Sequence, residues 1–276
     1  MSNDAHEQYE ANRRNWDERA GVHVASTGYD LDRLRSSSDE LSDVVRFDRR
    51  FLGDLSGQRA VHLQCHIGTD TLSLARLGAE VVGFDQSGES LGHARRLFEV
   101  TGTPGTFVEG RVDDAVDLLG TTFDLVYTGV GALNWLPSID RWASIVAGLL
   151  APGGQLYIRE GHPMLWAIDD DASDGLKITY PYFETVEPLV FDEDTTYVEH
   201  DEPIVNTRTY EWNHGLGEIF TALTRHGLVV TLLEEHRGLE WKMFDHMVAE
   251  DGQWKLPPEQ RDLVPLMYSL MATKPA

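Results

Sequence analysis

Polar side chains that could do chemistry follow two predicted strands in the first third of the chain. Residues 60–65 form a short, mostly apolar run that predicts a buried strand, and this run leads into a turn that contains Gly68. Residues 80–85 predict the next strand, with Asp85 at its tip. Ligands of open parallel sheets bind beyond the carboxyl ends of the strands, where an acid can accept hydrogen bonds from ribose hydroxyls. The turn and Asp85 therefore predict a nucleoside site, with a plain helix cap as the alternative role for Asp85.

The residues of the turn indicate which kind of nucleoside it suits. A dinucleotide site uses the pattern G-x-G-x-x-G, because glycines let the backbone approach a pyrophosphate closely. Here Gln64 and His66 precede Gly68. Their side chains would crowd a pyrophosphate but suit a nucleoside without phosphates. A nicotinamide oxidoreductase is thus the weaker alternative.

The elements around this turn alternate between strand and helix. Predicted strands cover residues 60–65, 80–85, 106–110, 123–128, 155–160, 228–234 and 266–272. Helical patterns cover residues 7–50, with a second helix over 38–52, and then 69–77, 139–150 and 217–226. This spacing favours right-handed βαβ crossovers and a parallel sheet. The predicted fold class is α/β: a Rossmann-like seven-stranded, mostly parallel sheet flanked by helices, with an N-terminal helical cap and an insertion after the fifth strand.

The chain is predicted to form one domain, residues 1–276, with four parts. Residues 1–57 form a helical lid, and residues 58–162 form the nucleoside-binding core. Residues 163–209 are rich in Asp, Glu, Pro and aromatic side chains and interrupt the alternation, which indicates an insertion that covers the substrate. Residues 210–276 supply the last part of the sheet.

Four segments of the sequence resemble the motifs of one family. They read V-H-L-Q-C-H-I-G-T-D-T-L at 61–72, G-F-D-Q-S at 83–87, F-D-L-V-Y at 123–127 and L-L-A-P-G-G at 149–154. In this order they resemble class I S-adenosylmethionine-dependent methyltransferases, and more narrowly a bacterial small-molecule-type subgroup. The resemblance extends from about residue 12 to 163, and more loosely over the last two strands. It implies S-adenosylmethionine as cofactor and methyl transfer to a small molecule.

The resemblance also implies which residues contact the cofactor. The turn with Gln64, Cys65, His66 and Gly68 would hold its methionine part, and Asp85 would bind the ribose, with Gln86 beside the adenine. The edge of the adenine and the amino-acid end of the cofactor would be met by residues that follow the third and fourth strands. These are Arg111, Val112, Asp113, Thr128 and Gly129.

Three positions depart from the family pattern. The acid that is common in the first strand is His62 here, and the first two glycines of G-x-G-x-G are Gln64 and His66. The acid that usually follows the third strand falls at Arg111, so Asp113 or a backbone N–H would take its place.

Methyl transfer from a sulfonium is an in-line displacement, so the protein mainly aligns the reacting atoms. A base is needed only for an acceptor with a high pKa. The candidates for a base are His162, with a backbone-bonded loop histidine as the alternative, and His23, with a solvated helix histidine as the alternative.

Three further residues are candidates for substrate contact. Trp135 would form a wall of the pocket, His214 would contact substrate or cap a helix, and Tyr29 would close over the cofactor or belong to the core.

Composition excludes several other classes of function. The net charge is −23 over 276 residues, which would repel nucleic acid and anionic lipid. The single cysteine, Cys65, excludes an internal disulfide and a multi-cysteine zinc site, and no metal-ligand motif is present, so no metal is expected. The first residues are polar and acidic, unlike a secretory signal. We expect a cytoplasmic protein that acts on a small molecule, with a homo-oligomer left open.

The acceptor, and whether its oxygen, nitrogen or carbon is methylated, does not follow from the sequence. A module that binds S-adenosylmethionine without catalysis is the main alternative function.

Overall fold

The computed structural model describes residues 3–170, 175–201 and 203–276; positions 171–174 and Glu202 of the predicted insertion lie outside the described residues. The helices are α1 (Asn3–Ala25), α2 (Leu31–Ser36), α3 (Asp43–Leu52), α4 (Thr69–Arg76), α5 (Gly88–Thr101), α6 (Ala115–Leu119), α7 (Ile139–Leu149), α8 (Pro163–Trp166) and α9 (Leu216–Arg225). The strands are β1 (Arg59–Leu63), β2 (Glu80–Asp85), β3 (Thr106–Glu109), β4 (Phe123–Thr128), β5 (Leu150–Gly161), β6 (Leu189–Asp192), β7 (Arg208–Glu211), β8 (Val229–His236), β9 (Gly238–Leu239), β10 (Val248–Glu250), β11 (Gln253–Lys255) and β12 (Met267–Thr273).

Seven strands form the main sheet, in the order β3-β2-β1-β4-β5-β12-β8. The strands from β3 to β5 pair in parallel. Strand β12 runs antiparallel to both β5 and β8. The order reverses between β1 and β4, which is where such sheets open a crevice for a ligand. The predicted seven-stranded, mostly parallel sheet with flanking helices is confirmed.

Both faces of the central strands of this sheet are buried, whereas the edge strand β8 is partly exposed. Along β4, Val126 packs into a core shared with α7 and α9. The next residue, Tyr127, faces the opposite core, which α2, α3, α4 and α5 cover. Because side chains of a strand alternate between faces, a sheet that is covered on both sides has strands that are apolar throughout. This explains why the strands appear in the sequence as continuous apolar runs.

The structure corrects two predicted boundaries. The helix predicted over 38–52 begins only at Asp43, because the Ser42 side chain accepts the N–H of Val45 and caps it. The strand predicted over 155–160 begins at Leu150, which pairs with Phe123 before an irregularity in the register. The helical stretch predicted over 7–50 is divided into α1, α2 and α3.

Two small sheets lie outside the main one. Strands β6 and β7 form an antiparallel hairpin in the predicted insertion. The Asn12 side chain joins this hairpin to α1, because its amide donates to the carbonyl of Tyr210 and accepts the N–H of Tyr210, both at 2.8 Å. The other small sheet has the strand order β10-β11-β9. Its three strands lie between β8 and β12 in the sequence, and the sequence did not predict it. No described helix is both long and apolar enough to cross a membrane.

Candidate functional site

A cavity of about 100 Å³ lies at the carboxyl ends of β1, β2, β3 and β4. Its wall is formed by the turns that follow these strands and by side chains of α1. Seven of the predicted cofactor residues line it: Gln64, Cys65, His66, Asp85, Gln86, Val112 and Gly129. Two of the predicted substrate residues, Trp135 and Tyr29, line it as well. The position matches the crevice at the reversal of strand order.

The turn after β1 has a glycine-like backbone although only one of its key positions is glycine. Gln64 has a φ of 56°, His66 a φ of 49° and Gly68 a φ of 80°. Such a conformation costs a side-chain-bearing residue about 1–2 kcal/mol. The turn is held by the Gly68 N–H, which donates to the Cys65 carbonyl at 3.0 Å, and by the Gln64 amide, which donates to the Ala132 carbonyl at 2.8 Å. The two departures from the family's glycines therefore keep the shape that glycines would have.

Gly68 itself allows a close approach of two helices. A Cβ at this position would lie 2.7 Å from the Cβ of Ala94 on α5. Gly68 also precedes α4, so its backbone directs the N-terminus of that helix towards the turn. It does not line the cavity, and its part in the site is to shape the turn.

Asp85 joins the turn after β1 to the turn after β2. Its Oδ2 accepts the N–H of His66 and its Oδ1 accepts the N–H of Ser87, both at 2.8 Å. Burial raises the pKa of Asp85 to about 6, and the nearby Asp17 adds to the increase. Each carboxylate oxygen has a second lone pair, so the group can accept two further hydrogen bonds. Asp85 thus has the chemistry and the position to hold a ribose.

Beyond the turn after β3, only part of the predicted adenine edge reaches the cavity. Val112 lines it, whereas Arg111 lies over the ring of Tyr9, 3.8 Å from the ring centroid. Asp113 accepts a hydrogen bond of 3.0 Å from the Tyr9 hydroxyl and another from Arg141. Arg111 and Asp113 therefore hold Tyr9 of α1 in the cavity wall.

The end of β4 forms a polar corner of the cavity. A Cβ on Gly129 would lie 3.3 Å from His62 Nε2 and 3.4 Å from Asp70 Oδ2, so these three residues are neighbours. Burial lowers the pKa of His62 to about 3 and raises the pKa of Asp70 to about 6. Thr128, just before, is fully buried, and its Oγ1 has no partner among the described residues. Sequence reasoning missed Asp70, although it stands in the motif two positions after Gly68.

An aromatic cluster covers this cavity. Trp16 of α1 meets Trp135 edge to face, with ring centroids 5.3 Å apart. The hydroxyls of Tyr29 and Tyr197 are hydrogen-bonded to each other, and both rings line the cavity. Tyr197 comes from the insertion, whose aromatic side chains were expected to cover the substrate.

His23 lies directly behind this aromatic cluster. Its Nδ1 shares a hydrogen bond of 2.8 Å with Nε2 of His66, and its ring stacks on Tyr29. Burial lowers the pKa of His23 to about 2 and that of His66 to about 3, so both rings are neutral. His23 contacts the cavity through these neighbours.

The structure does not bring the other two predicted histidines to this cavity. His162 caps α8 by accepting the N–H of Met164, and its Nε2 lies 3.0 Å from a carboxylate oxygen of Glu235. His214 is 2.8 Å from Glu184 and bonds through Nε2 to the carbonyls of Leu133 and Leu136. His214 lines a second, smaller cavity. Any chemical role for His162 or His214 stays a prediction.

Glu160, at the end of β5, fixes the loop that follows β4. Its carboxylate accepts the N–H groups of Gly131, Ala132 and Leu133 at 2.6, 2.7 and 3.0 Å, and that of Gly161 at 2.7 Å. Burial raises its pKa, and the backbone N–H groups oppose this. The sequence signal for this role was weak, because the partners of Glu160 lie almost 30 positions away. Among the described residues, no cluster of His, Cys, Asp or Glu could hold a metal ion.

Comparison with known proteins finds similarity to methyltransferases. Residues 61–156 match the family described as a methyltransferase domain. An uncharacterised methyltransferase of Synechocystis is 35% identical over 114 residues, which is 40% of this chain and 50% of the relative. A ubiquinone biosynthesis O-methyltransferase of Photorhabdus laumondii is 30% identical over 105 residues, which is 38% of this chain and 43% of the relative. The chain thus spans about half, or less, of the length of these curated relatives.

Solved structures extend the similarity over most of the chain. A putative S-adenosylmethionine-dependent methyltransferase of Listeria monocytogenes superposes with a TM-score of 0.58 at 18% identity, covering 84% of this chain and 97% of its own. An S-adenosylmethionine-dependent methyltransferase of Mesorhizobium loti has a TM-score of 0.54 at 21% identity, and the match covers 83% of this chain and 96% of that chain. The glycopeptide N-methyltransferase MtfA, in complex with S-adenosyl-L-methionine, has a TM-score of 0.52 at 16% identity. The match covers 85% of this chain and 88% of that chain.

Residues 61–156 therefore match a methyltransferase domain, and the chain has the fold seen in S-adenosylmethionine-dependent methyltransferases of known structure. The family resemblance stated from the sequence is confirmed.

Proposed function

We propose that this protein is an enzyme that binds S-adenosylmethionine in the cavity beyond β1, β2 and β4 and transfers its methyl group to a small molecule. The observation that carries the proposal is the direct bond between the two parts of the predicted site. The Asp85 carboxylate accepts the N–H of His66, so the ribose-binding acid and the turn after β1 face one cavity.

The residues present fit this cofactor. Asp85 would accept the ribose hydroxyls, and Gln86 and Val112 would lie beside the adenine. At the other end, the buried Gln64 Oε1 in the cavity lining has no partner among the described residues, and neither has Thr128 Oγ1, which lies behind that lining. Buried polar atoms without a partner are costly, so the site favours a ligand with polar groups at that end.

The corner beside Gly129 would hold the amino-acid part of the cofactor. In place of the acid that is common in β1, the chain has the neutral imidazole of His62 and, next to it, the carboxylate of Asp70. An ammonium group would pair with Asp70. We propose that Asp70 replaces the missing acid of β1.

Bound S-adenosylmethionine would supply a methyl group on a positively charged sulfur, and the chain would align the acceptor with it and exclude water. Four aromatic side chains would cover the bound molecules: Trp16, Tyr29, Trp135 and Tyr197. A proton from the acceptor would be taken by a group that contacts it. Of the two predicted bases, only His23 has a hydrogen-bonded link to the cavity, through His66.

The acceptor is proposed to be a small molecule. The net charge of −23 disfavours a phosphate-rich polymer, and we propose that the protein does not bind nucleic acid and works in the cytoplasm. A homo-oligomer is compatible with this, and sedimentation would give the oligomeric state.

Calorimetry with S-adenosylmethionine and with S-adenosylhomocysteine tests the cofactor. We expect both to bind and Asp85→Ala to weaken binding about 10- to 100-fold, because two charge-assisted hydrogen bonds are lost. Asp39→Ala, at an exposed position, is the matched control and should bind as the unchanged protein does.

Absence of heat with either compound would refute the proposal, and a fluorescence titration with NADH would then test the oxidoreductase alternative. Release of S-adenosylhomocysteine in the presence of acceptor panels tests catalysis. Tight binding without turnover would favour a non-catalytic binding module.

A further inference from the structure

Arg19 is a buried cation beside the cavity. It lies on α1, one turn after Trp16, and its side chain is only 7% exposed. Its guanidinium lies 5.4 Å from the ring centroid of Trp16 and 5.8 Å from that of Trp135. Both indoles line the cavity, so the charge of Arg19 lies directly behind this part of its wall. No sequence pattern indicated this role for Arg19.

The charge of Arg19 has no direct counter-ion within the described part of the chain. No carboxylate there lies within ion-pair distance, and its buried Nε has no hydrogen-bond partner. Burial lowers the pKa of Arg19, while Glu211 and Glu193 act on it from a distance. The Glu211 carboxylate is instead hydrogen-bonded to the side chains of Asn134 and Thr209. A buried guanidinium without a partner is costly, and the two indole faces compensate only part of that cost.

We propose that Arg19 binds a carboxylate of a small molecule held in this cavity, an inference that rests on the proposed function. A guanidinium presents a rigid fork of N–H donors that matches a carboxylate, and the low dielectric between the two indoles strengthens such a pair. Two bound molecules could bring a carboxylate here. One is the amino-acid end of the cofactor, and the other is an acidic acceptor.

The first experiment tests whether Arg19 binds the carboxylate of the cofactor. S-adenosylhomocysteine carries the carboxylate, whereas 5′-methylthioadenosine has the same nucleoside without the amino acid. If the cofactor is the source, Arg19→Gln weakens S-adenosylhomocysteine about 10- to 100-fold and leaves 5′-methylthioadenosine unchanged in calorimetry. Arg19→Lys, which keeps the charge, recovers part of the loss. Arg14→Gln, exposed on the same helix, is the matched control.

The second experiment uses protein saturated with S-adenosylhomocysteine and follows benzoate and benzamide by ligand-observed NMR. If an acidic acceptor is the source, benzoate binds more tightly than its neutral analogue benzamide. Arg19→Gln then removes this preference, and Arg14→Gln keeps it.

A merely structural Arg19 would give a different pattern. Its replacement would weaken S-adenosylhomocysteine and 5′-methylthioadenosine alike and leave the two aromatic probes unaffected, which would overturn the inference. If Arg19→Gln loses the preference for the carboxylate-bearing compound in either experiment, the inference is supported. Failure of the unchanged protein to bind S-adenosylhomocysteine contradicts the proposed function instead, so the two failures are distinguishable.

Discussion

The floor and the roof of the cavity are built in different ways. The floor consists of the turns that directly follow β1, β2 and β4. The roof consists of the aromatic side chains that cover the cavity, namely Trp16, Tyr29, Trp135 and Tyr197. In the floor, carboxylates of Asp85 and Glu160 accept backbone N–H groups at 2.6–3.0 Å. The roof is held by contacts between side chains, such as Trp16 with Trp135 and Tyr29 with Tyr197. The floor is therefore fixed by hydrogen bonds to the main chain, whereas the aromatic rings of the roof are fixed mainly by one another, so we expect their replacement to cost less.

The largest effect is expected where the floor depends on a glycine. Gly68→Ala places a Cβ 2.7 Å from the Cβ of Ala94 and gives a side chain to a residue with a φ of 80°. Neither atom can rotate away, since both are attached to backbone. We expect the free energy of unfolding to fall by about 2–4 kcal/mol, measured by urea titration. Gly92→Ala on α5 meets nothing within 4 Å and should be neutral or stabilise slightly. Equal stability of the two variants would contradict this account of the floor.

A smaller effect is expected from Asp85, because its ionisation makes the affinity for the cofactor depend on pH. Asp85 has a pKa of about 6 in the empty site, and only its ionised form accepts hydrogen bonds at both oxygens. Binding favours the carboxylate, so affinity for S-adenosylhomocysteine should be high above pH 6 and decrease as the pH falls through it. Between pH 7 and pH 5 we expect about a tenfold loss from this group.

Calorimetry across that range checks the pH effect. Asp70 also has a pKa of about 6 and adds its own dependence. Asp85→Asn and Asp70→Asn should each reduce the slope, and the double variant should remove most of it. An unchanged slope in both single variants would show that other groups control binding.

The smallest effect is expected in the roof. Tyr197→Phe removes one hydroxyl from the contact with Tyr29, and Tyr197 is already half-exposed. We expect the free energy of unfolding to change by less than about 1 kcal/mol. The dissociation rate of S-adenosylhomocysteine should rise roughly two- to fivefold in stopped-flow experiments, because the roof opens more readily. Tyr180→Phe, elsewhere in the insertion, serves as the control, and equal rates in the two variants would count against a roof held by Tyr197.

The floor was predictable because its parts are local in the sequence. A buried strand, a turn and an acid at the next strand end follow one another within the motif, and Asp85 lies where that order predicts. Gln64 and His66 departed from the expected glycines, yet their backbone adopts the same left-handed conformation. The parallel part of the sheet followed from the alternation of strands and helices, whereas the spatial order of the strands was not predicted.

The roof was less predictable because its contacts join distant positions. Tyr29 meets Tyr197 across 168 residues, and Tyr9 meets Asp113 across 104. His162 and His214 were proposed from their positions near strand ends and helices. Their hydrogen-bond partners lie elsewhere: Glu235 is remote in the sequence from His162, and His214 reaches back to Leu133 and Leu136. Side-chain direction of this kind depends on tertiary packing, which no local pattern specifies.

The anchoring by Glu160 has a consequence for variation within the fold. Its carboxylate touches only main-chain N–H groups of the loop after β4, and none of the loop's side chains. Substitutions at Ala132, which lines the cavity, can therefore change what this wall presents to an acceptor while the path of the main chain stays the same. Selectivity for new acceptors can thus evolve here without rebuilding the framework that holds the methyl donor.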